Sequence, residues 1–257
     1  MAHTGMDDIA YFQQLYAVST SPAEYHRDVY RLVETQEIAA TTNLLGDLDE
    51  QYLLEQMLDE VKPAYKNGTE QMHYLLKTPF RYPPLKHGSR FGSRFRPSYF
   101  YAGEDQNSTL AEVAYYRFVF LSHMQNSYQQ AVRSEHMLFS VAVSTALCAD
   151  LSAQGFDDIR TKLVSPDSYL VCQQVGQWLV EKEQIEVIRY CSARHEKGIN
   201  VAVALPRALH SNEPEKSQNW LCLMQKNKVS FTRMGGLEPI SFHLGDFLIE
   251  GRLPIPA

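Results

Sequence analysis

The sequence predicts an α+β domain, and three observations predict it. Helical periodicity is concentrated in the first half of the chain and strand alternation in the second. A run rich in proline and glycine, residues 78–97, interrupts the helical half. There is no low-complexity tract, and the only repetition is the doubled tetrapeptide Gly88-Ser89-Arg90-Phe91 and Gly92-Ser93-Arg94-Phe95.

The elements are read in chain order. The first twenty residues show no clear core pattern. Ser21-Pro22 reads as an N-cap followed by proline at the first helical position. Asp28 to Glu34 alternates as a short strand does. Two helical patterns follow. In the second, Leu54, Met57, Leu58 and Val61 share a face and Pro63 ends it. Lys66-Asn67-Gly68 reads as a turn. Residues 78–97 hold Pro79, Pro83, Pro84, Gly88, Gly92 and Pro97, so regular structure is not expected there; loops of this kind often carry function. Ser98 to Ala102 reads as a short aromatic strand and residues 103–107 as a loop. Ser108 or Thr109 then caps a long helix expected to run to about Val132. Met137, Phe139, Val141, Val143 and Thr145 alternate as a strand. Tyr169 to Glu181 is a helix packing Val171, Val175, Trp178 and Leu179. Ile185–Tyr190, Ile199–Leu205, Trp220–Met224 and Val229–Arg233 are the remaining strands.

Composition bounds the function. The chain has 257 residues, 44% apolar and 21% charged, which is ordinary globular usage and enough to bury a sizeable core. Lys+Arg 24 against Asp+Glu 30 leaves a formal net charge of -6, which argues against a general polyanion binder. Cys148, Cys172, Cys191 and Cys222 form no C-x-x-C pair, so a zinc ribbon is not expected and the thiols read as reduced. The first residues lack the basic and apolar regions of a secretory leader. The most apolar stretch, Leu138 to Ala149, is far shorter than the roughly 20 residues of a membrane span. A soluble cytoplasmic protein without a membrane partner is the expectation. No G-x-G-x-x-G, G-x-x-x-x-G-K-[ST], H-E-x-x-H or G-x-S-x-G occurs, so a dinucleotide fold, a P-loop, a zincin site and a nucleophile elbow are unsupported. No metal is predicted.

Three places carry candidate chemistry. Lys77, Arg81, Lys86, Arg90, Arg94 and Arg96 are interleaved with Phe80, Tyr82, Phe91 and Phe95. This pattern fits a cationic groove with stacking aromatics for nucleic acid. It also fits one or two arginines clamping a diphosphate while a ring stacks on a base, or a solvated loop with its aromatics in the core. Glu112 forms a capping box with Thr109, or else sets a carboxylate beside the basic loop, facing a substrate cation. Ser192 ends a strand, where a serine is usually a turn residue. Its neighbours Cys191 and His195 could form a thiol–imidazole pair only on a helix.

Taken together, these stretches resemble the RES family, named for an arginine, a glutamate and a serine. Gly88-Ser89-Arg90-Phe91-Gly92 resembles the family's arginine–aromatic motif. Tyr99-Phe100-Tyr101-Ala102-Gly103 through Ala111-Glu112 resembles its strand, loop and glutamate-bearing helix. Ile188-Arg189-Tyr190-Cys191-Ser192-Ala193-Arg194, with Gly198-Ile199-Asn200-Val201, resembles its serine strand end and next strand. Val29-Tyr30-Arg31-Leu32-Val33 resembles its opening strand. On this resemblance residues 1–28 are an N-terminal arm and 29–257 the domain, with a helical insertion at about 36–66 that short toxin members lack.

The resemblance implies a fold related to ADP-ribosyltransferases, with a cleft for NAD. It implies cleavage of NAD to release nicotinamide, by phosphorolysis or hydrolysis, often as the toxin of a pair neutralised by an Xre-type helix-turn-helix antitoxin. NAD is then substrate and inorganic phosphate a co-substrate, with no separate cofactor. Arg90, Glu112 and Ser192 become the catalytic set. Tyr101 stacks on nicotinamide or ribose. Arg94, in the second copy of the doubled motif, is the alternative arginine and a substrate-binding candidate, Arg90 fitting better because Gly92 follows its aromatic. The leaving pyridinium departs neutral, so the site needs mainly a carboxylate to stabilise an oxocarbenium-like ribosyl cation. The competing readings are an ADP-ribosyltransferase acting on a macromolecule and a non-enzymatic nucleic-acid or partner-binding module using residues 77–96. Apolar helices in the first third offer a homodimer face.

Overall fold

The architecture turns on one long strand that is buried on both faces. The structure, a computed structural model, describes residues 5–35, 57, 62–82, 84, 86–96, 98–124 and 130–256. Its elements are α1 (Gly5–Ala17), β1 (Ala23–Glu34), α2 (Tyr74–Lys77), β2 (Phe100–Gly103), α3 (Gln106–Ser122) and β3 (Val132–Asp150). They continue with α4 (Arg160–Leu163), α5 (Leu170–Glu181), β4 (Val187–Cys191), β5 (Ile199–Val203), β6 (Lys216–Gln225), β7 (Lys228–Arg233) and β8 (Ile240–His243). Helices and strands are mixed and segregated as an α+β fold requires. The helical pattern expected over 36–66, with its dimer face, lies almost wholly outside the described residues.

β1 pairs antiparallel with β3 from Ala23 opposite Cys148 to Glu34 opposite His136. β2 pairs with β5 and β5 with β4, both antiparallel. β4 lies parallel to the end of β3, with Cys148 opposite Val187. The other edge of β1 meets β2 at Tyr30 and Gly103. That contact closes β1, β2, β5, β4 and β3 into a ring. The first half of β3 also pairs with β6, and β7 and β8 extend the sheet.

Side-chain alternation assigns the two faces. On β4 and β5, Val187, Val201 and Val203 pack with Val29, Phe100, Phe139, Val141 and Val143. Ile188, Tyr190 and Ala202, one residue out of phase, pack instead with α1 and α5. On β3, Leu138 points the other way from Phe139 and packs with Leu110, Ala114, Phe118 and Trp220. Each fully buried aliphatic or Phe side chain contributes about 1.5–3 kcal/mol of transfer free energy.

Four expectations are corrected. Ser21-Pro22 starts no helix: it leads into β1, which opens at Ala23, so the expected boundary at residue 29 falls within a strand. Residues before it are not a patternless arm, because Phe12 is fully buried, stacked on Phe156 at 5.6 Å and edge-on to Trp178 at 6.0 Å. α3 ends at Ser122, well short of Val132, where β3 begins. Its cap is Asp105, whose Oδ1 accepts from Ser108 N at 2.8 Å. Asp outcompetes the later Ser and Thr because it places a carboxylate on the first free amides of the helix. β8 had no counterpart in the sequence reading. The turn at Asn67-Gly68 is present, with Gly68 at φ +84.

Candidate active site

Because Asp105 caps α3, Glu112 is released from capping and sits two turns into the helix. Thr109 instead donates its hydroxyl to the carbonyls of Tyr30 at 3.1 Å and Asp105 at 2.9 Å. This draws the start of α3 onto the β1–β2 junction. Gly103 permits the approach, since a Cβ there would meet Thr109 Oγ1 at 2.5 Å.

The junction bounds a cavity of about 260 Å³. Arg90 from the loop before β2, Tyr101 from β2, Glu112 and Tyr116 from α3, Tyr190 from β4 and Asn200 from β5 line it, with Tyr30, Arg31 and Tyr169. That volume is close to the lower end of ligand clefts, about 300–1,000 Å³. Five of the lining residues are tyrosines, so the walls are apolar rings with hydroxyl tips.

Glu112 is held from one side. Its Oε1 accepts from Ser192 Oγ at 2.6 Å and from Asn200 Nδ2 at 2.7 Å. Oε2 has no protein partner among the described residues. Ser192 does not itself line the cavity. Its oxygen accepts from Arg194 N at 3.0 Å and His195 N at 3.1 Å while donating to Glu112. A serine at a strand end thus does both things open to it: it makes the turn and it aims the carboxylate. Asn200 is 3% exposed, and its Oδ1 is buried without a partner. Its donation to Glu112 fixes which way the amide points.

Arg90 is 8% exposed. Its Nη1 donates to the carbonyls of Leu163 at 2.9 Å and Ser165 at 3.1 Å, and the guanidinium lies 5.0 Å from the Tyr169 ring centre. Burial works against its charge, but Cys172, Tyr169, Tyr190 and Glu112 outweigh that and hold its pKa above the ordinary value. Tyr101 donates or accepts with Ser89 Oγ at 2.8 Å and accepts from Phe91 N at 3.0 Å. It therefore holds the Ser89 side chain and the Phe91 backbone on either side of Arg90 as well as lining the cavity. Burial pushes the Tyr101 and Tyr190 hydroxyls up, so both stay protonated at neutral pH.

Arg94 is not brought to this site. It is exposed, with its guanidinium 4.6 Å from the ring centre of its neighbour Phe95. Nor do Cys191 and His195 meet: Cys191 Sγ accepts from Arg160 Nη1 at 3.1 Å, and His195 Nδ1 contacts Ser108 Oγ at 3.1 Å. Among the described residues the basic, aromatic segment is split between core and surface. Phe80 and Phe91 are buried in the core, Lys77 and Arg81 lie over the Tyr65 ring, and Arg96 pairs with Glu181. Among the described residues no three His, Cys, Asp or Glu side chains are grouped to hold a metal ion, and no helix is long and apolar enough to cross a membrane.

Sequence reasoning gave no role to Asn200, Tyr116, Tyr169, Tyr190 or Arg31. For Asn200 a signal existed, because asparagine is depleted in strand interiors and this one sits second in β5. Arg31 shares its strand phase with the apolar Val29 and Val33, and its Nη1 crosses to the Tyr101 carbonyl of β2 at 2.8 Å, a contact that strand spacing alone does not report.

Residues 66–224 match the family model of the RES domain. Nothing among curated proteins matches the chain. Among solved structures, the M. tuberculosis MbcT–MbcA toxin–antitoxin complex is a distant likeness. It is 12% identical, with a TM-score of 0.44, over 76% of this chain and 84% of that one.

Proposed function

The chain belongs to the RES domain family, and from that premise we propose that it cleaves the nicotinamide–ribose bond of NAD. The observation that carries the reading is Glu112. It is a carboxylate with one oxygen held by Ser192 and Asn200, the other unbonded, at the wall of a tyrosine-lined cavity that also contains Arg90.

This arrangement suits the chemistry. Nicotinamide leaves as a neutral molecule, so no acid is needed. The ribosyl centre becomes cationic in the transition state. A carboxylate already fixed in place stabilises that charge without reorganising. Arg90 holds a phosphate oxygen of the substrate, its Nη1 anchored to carbonyls so that the fork cannot swing. Ser192 and Asn200 orient Glu112, and the tyrosine rings exclude water and stack on the pyridine or ribose. Inorganic phosphate as acceptor gives ADP-ribose 1″-phosphate; water gives ADP-ribose. Membership of the family also brings in an Xre-type antitoxin as a partner and a toxic role for the chain.

The test is incubation with NAD, with and without inorganic phosphate, followed by proton NMR. Nicotinamide release that requires phosphate identifies phosphorolysis, and release in both identifies hydrolysis. Glu112→Gln keeps the hydrogen-bonding shape and removes the charge. It should lower turnover about 10²–10³-fold, with an unchanged circular dichroism spectrum. Full activity in Glu112→Gln would sink the assignment.

A further inference from the structure

Two groups hold the Glu112 carboxylate, and the sheet fixes only one of them. Asn200 lies inside β5, in register with Gly103 of β2 and Tyr190 of β4, so the strand ladders hold it. Ser192 lies just past the end of β4 at Cys191. Its place is set by the turn over residues 192–198. That turn closes on itself: Ser192 N donates to the Gly198 carbonyl at 2.8 Å, and Gly198 N to the His195 carbonyl at 2.9 Å. Arg194 ties it to the Pro166 carbonyl at 2.7 Å and lies over the Tyr115 ring.

His195 ties the same turn to the start of α3. Its Nδ1 lies 3.1 Å from the hydroxyl of Ser108, a residue with no exposed surface. The fit is close. A Cβ at Gly198 would lie 2.5 Å from Ser108 Oγ and 2.9 Å from His195 Nδ1, so the pair needs glycine there.

A proton count gives this contact its direction. Ser108 Oγ lies 2.6 Å from Asp105 Oδ2, the separation of a hydroxyl donating to a carboxylate. A hydroxyl has one proton to give, so Ser108 accepts from His195. Nδ1 therefore carries a proton, and the neutral ring is the Nδ1–H tautomer. Donation runs from His195 to Ser108 to Asp105, the cap of α3.

Ser108 and Glu112 stand one helical turn apart on the same face of α3. The 192–198 turn meets that face twice, His195 on Ser108 and Ser192 on Glu112. One hydrogen bond leaves a turn free to pivot; a second, one helical turn away, fixes its orientation. The His195 backbone N–H also donates to Ser192 Oγ at 3.1 Å, so the residue anchored on Ser108 sets the oxygen that grips the carboxylate.

We propose that His195 is a positioning residue for Glu112: through Ser108 it locks the Ser192 turn onto the first turn of α3. The inference deepens the functional reading above and rests on it for the reaction that Glu112 serves.

The test has two arms that do not involve NAD and one that does. Nitrogen-15 NMR of wild type, with the ring neutral, should show His195 protonated at Nδ1; an unprotonated Nδ1 overturns the proposal. In His195→Ala, amide hydrogen exchange at residues 194 and 195 should lose protection at least about tenfold, because Ser192 Oγ is no longer held against them. Unchanged protection overturns it. In turnover, His195→Ala should lower kcat about tenfold, with KM for NAD within about twofold of wild type. His195→Asn, whose amide nitrogen can donate where Nδ1 did, should recover most of the loss. Unchanged kcat in His195→Ala, or no recovery in His195→Asn, overturns the proposal. Ser108→Ala combined with His195→Ala should lower kcat no further than the larger single loss, since both remove one link; additive losses overturn it. Should His195→Ala not fold, the wild-type tautomer and the exchange of residues 194 and 195 in Ser108→Ala decide by the same criteria. Failure of wild type to cleave NAD, with the tautomer and the exchange as expected, would remove the functional reading and leave the His195–Ser108 lock standing.

Discussion

Two copies of one tetrapeptide, four residues apart, have opposite fates. In Gly88-Ser89-Arg90-Phe91 the arginine enters the cavity wall and the phenylalanine is 1% exposed. In Gly92-Ser93-Arg94-Phe95 the arginine is exposed and the phenylalanine is 80% exposed. Their local chemistry is the same, so the difference lies in what surrounds them. The first copy is clamped by Tyr101 through Ser89 and Phe91, and Gln173 donates to the carbonyls of His87 at 3.0 Å and Ser89 at 3.1 Å. Phe91 lies against Gly176 of α5, where a Cβ would meet the Phe91 carbonyl oxygen at 2.5 Å. The second copy has left this clamp and forms a surface turn. A short motif locates a residue type; tertiary contacts decide which copy is used.

This contrast can be broken most severely at the phenylalanines. Phe91→Ala empties a packed site against Tyr190, whose ring centre is 4.9 Å away, and should cost about 3–5 kcal/mol in urea unfolding. Phe95→Ala should fall within about 0.5 kcal/mol of wild type. Comparable losses in both would erase the distinction. The arginines come next. On the proposed function, Arg90→Lys loses the fork that two carbonyls hold in place, and kcat/KM for NAD should drop about a hundredfold. Arg94→Lys should leave it unchanged, and the reverse result would reassign the family arginine to Arg94. The smallest effect is at the turn that sends the first copy inward. Gly88 has φ +75, and a Cβ there would lie 2.5 Å from Gln173 Nε2 and 2.6 Å from the Gly92 carbonyl oxygen. Gly88→Ala should therefore cost about 1–3 kcal/mol, read as a lowered Tm, with activity falling in parallel because the Arg90 loop is displaced. An unchanged Tm would show that the turn does not direct the loop.

Much of the scaffold was legible in the residues. The alternation of Phe139, Val141 and Val143, the paired apolar phases of β4 and β5, and the apolar stripe of α5 each report local burial, and local burial is what side-chain periodicity encodes. The cap of α3 was misread because Asp105, Ser108 and Thr109 are all good N-caps and periodicity does not rank them. That error hid the release of Glu112 from capping. Phe12 and Tyr16 were missed because α1 buries only a narrow stripe, formed against α5 and Phe156, distant in the chain.

By itself, then, the sequence determined the α+β class, most strand and helix positions, and the residue types a family resemblance could single out: Arg90, Tyr101, Glu112 and Ser192. The class and the element positions follow from spacing along the chain, which a sequence records directly, whereas those four residues are what the resemblance implies. Only the tertiary structure decided that Glu112 is gripped by Ser192 and Asn200 rather than by its own helix start. It alone separated Arg90 from Arg94 and turned Arg31 inward. Each of those outcomes depends on contacts between residues far apart in the chain, such as Glu112 with Ser192, Gln173 with Ser89 and Arg31 with Tyr101. The physical reason is that a side chain's charge and hydrogen bonds are set by neighbours in space, and the fold brings together neighbours that no local pattern can specify.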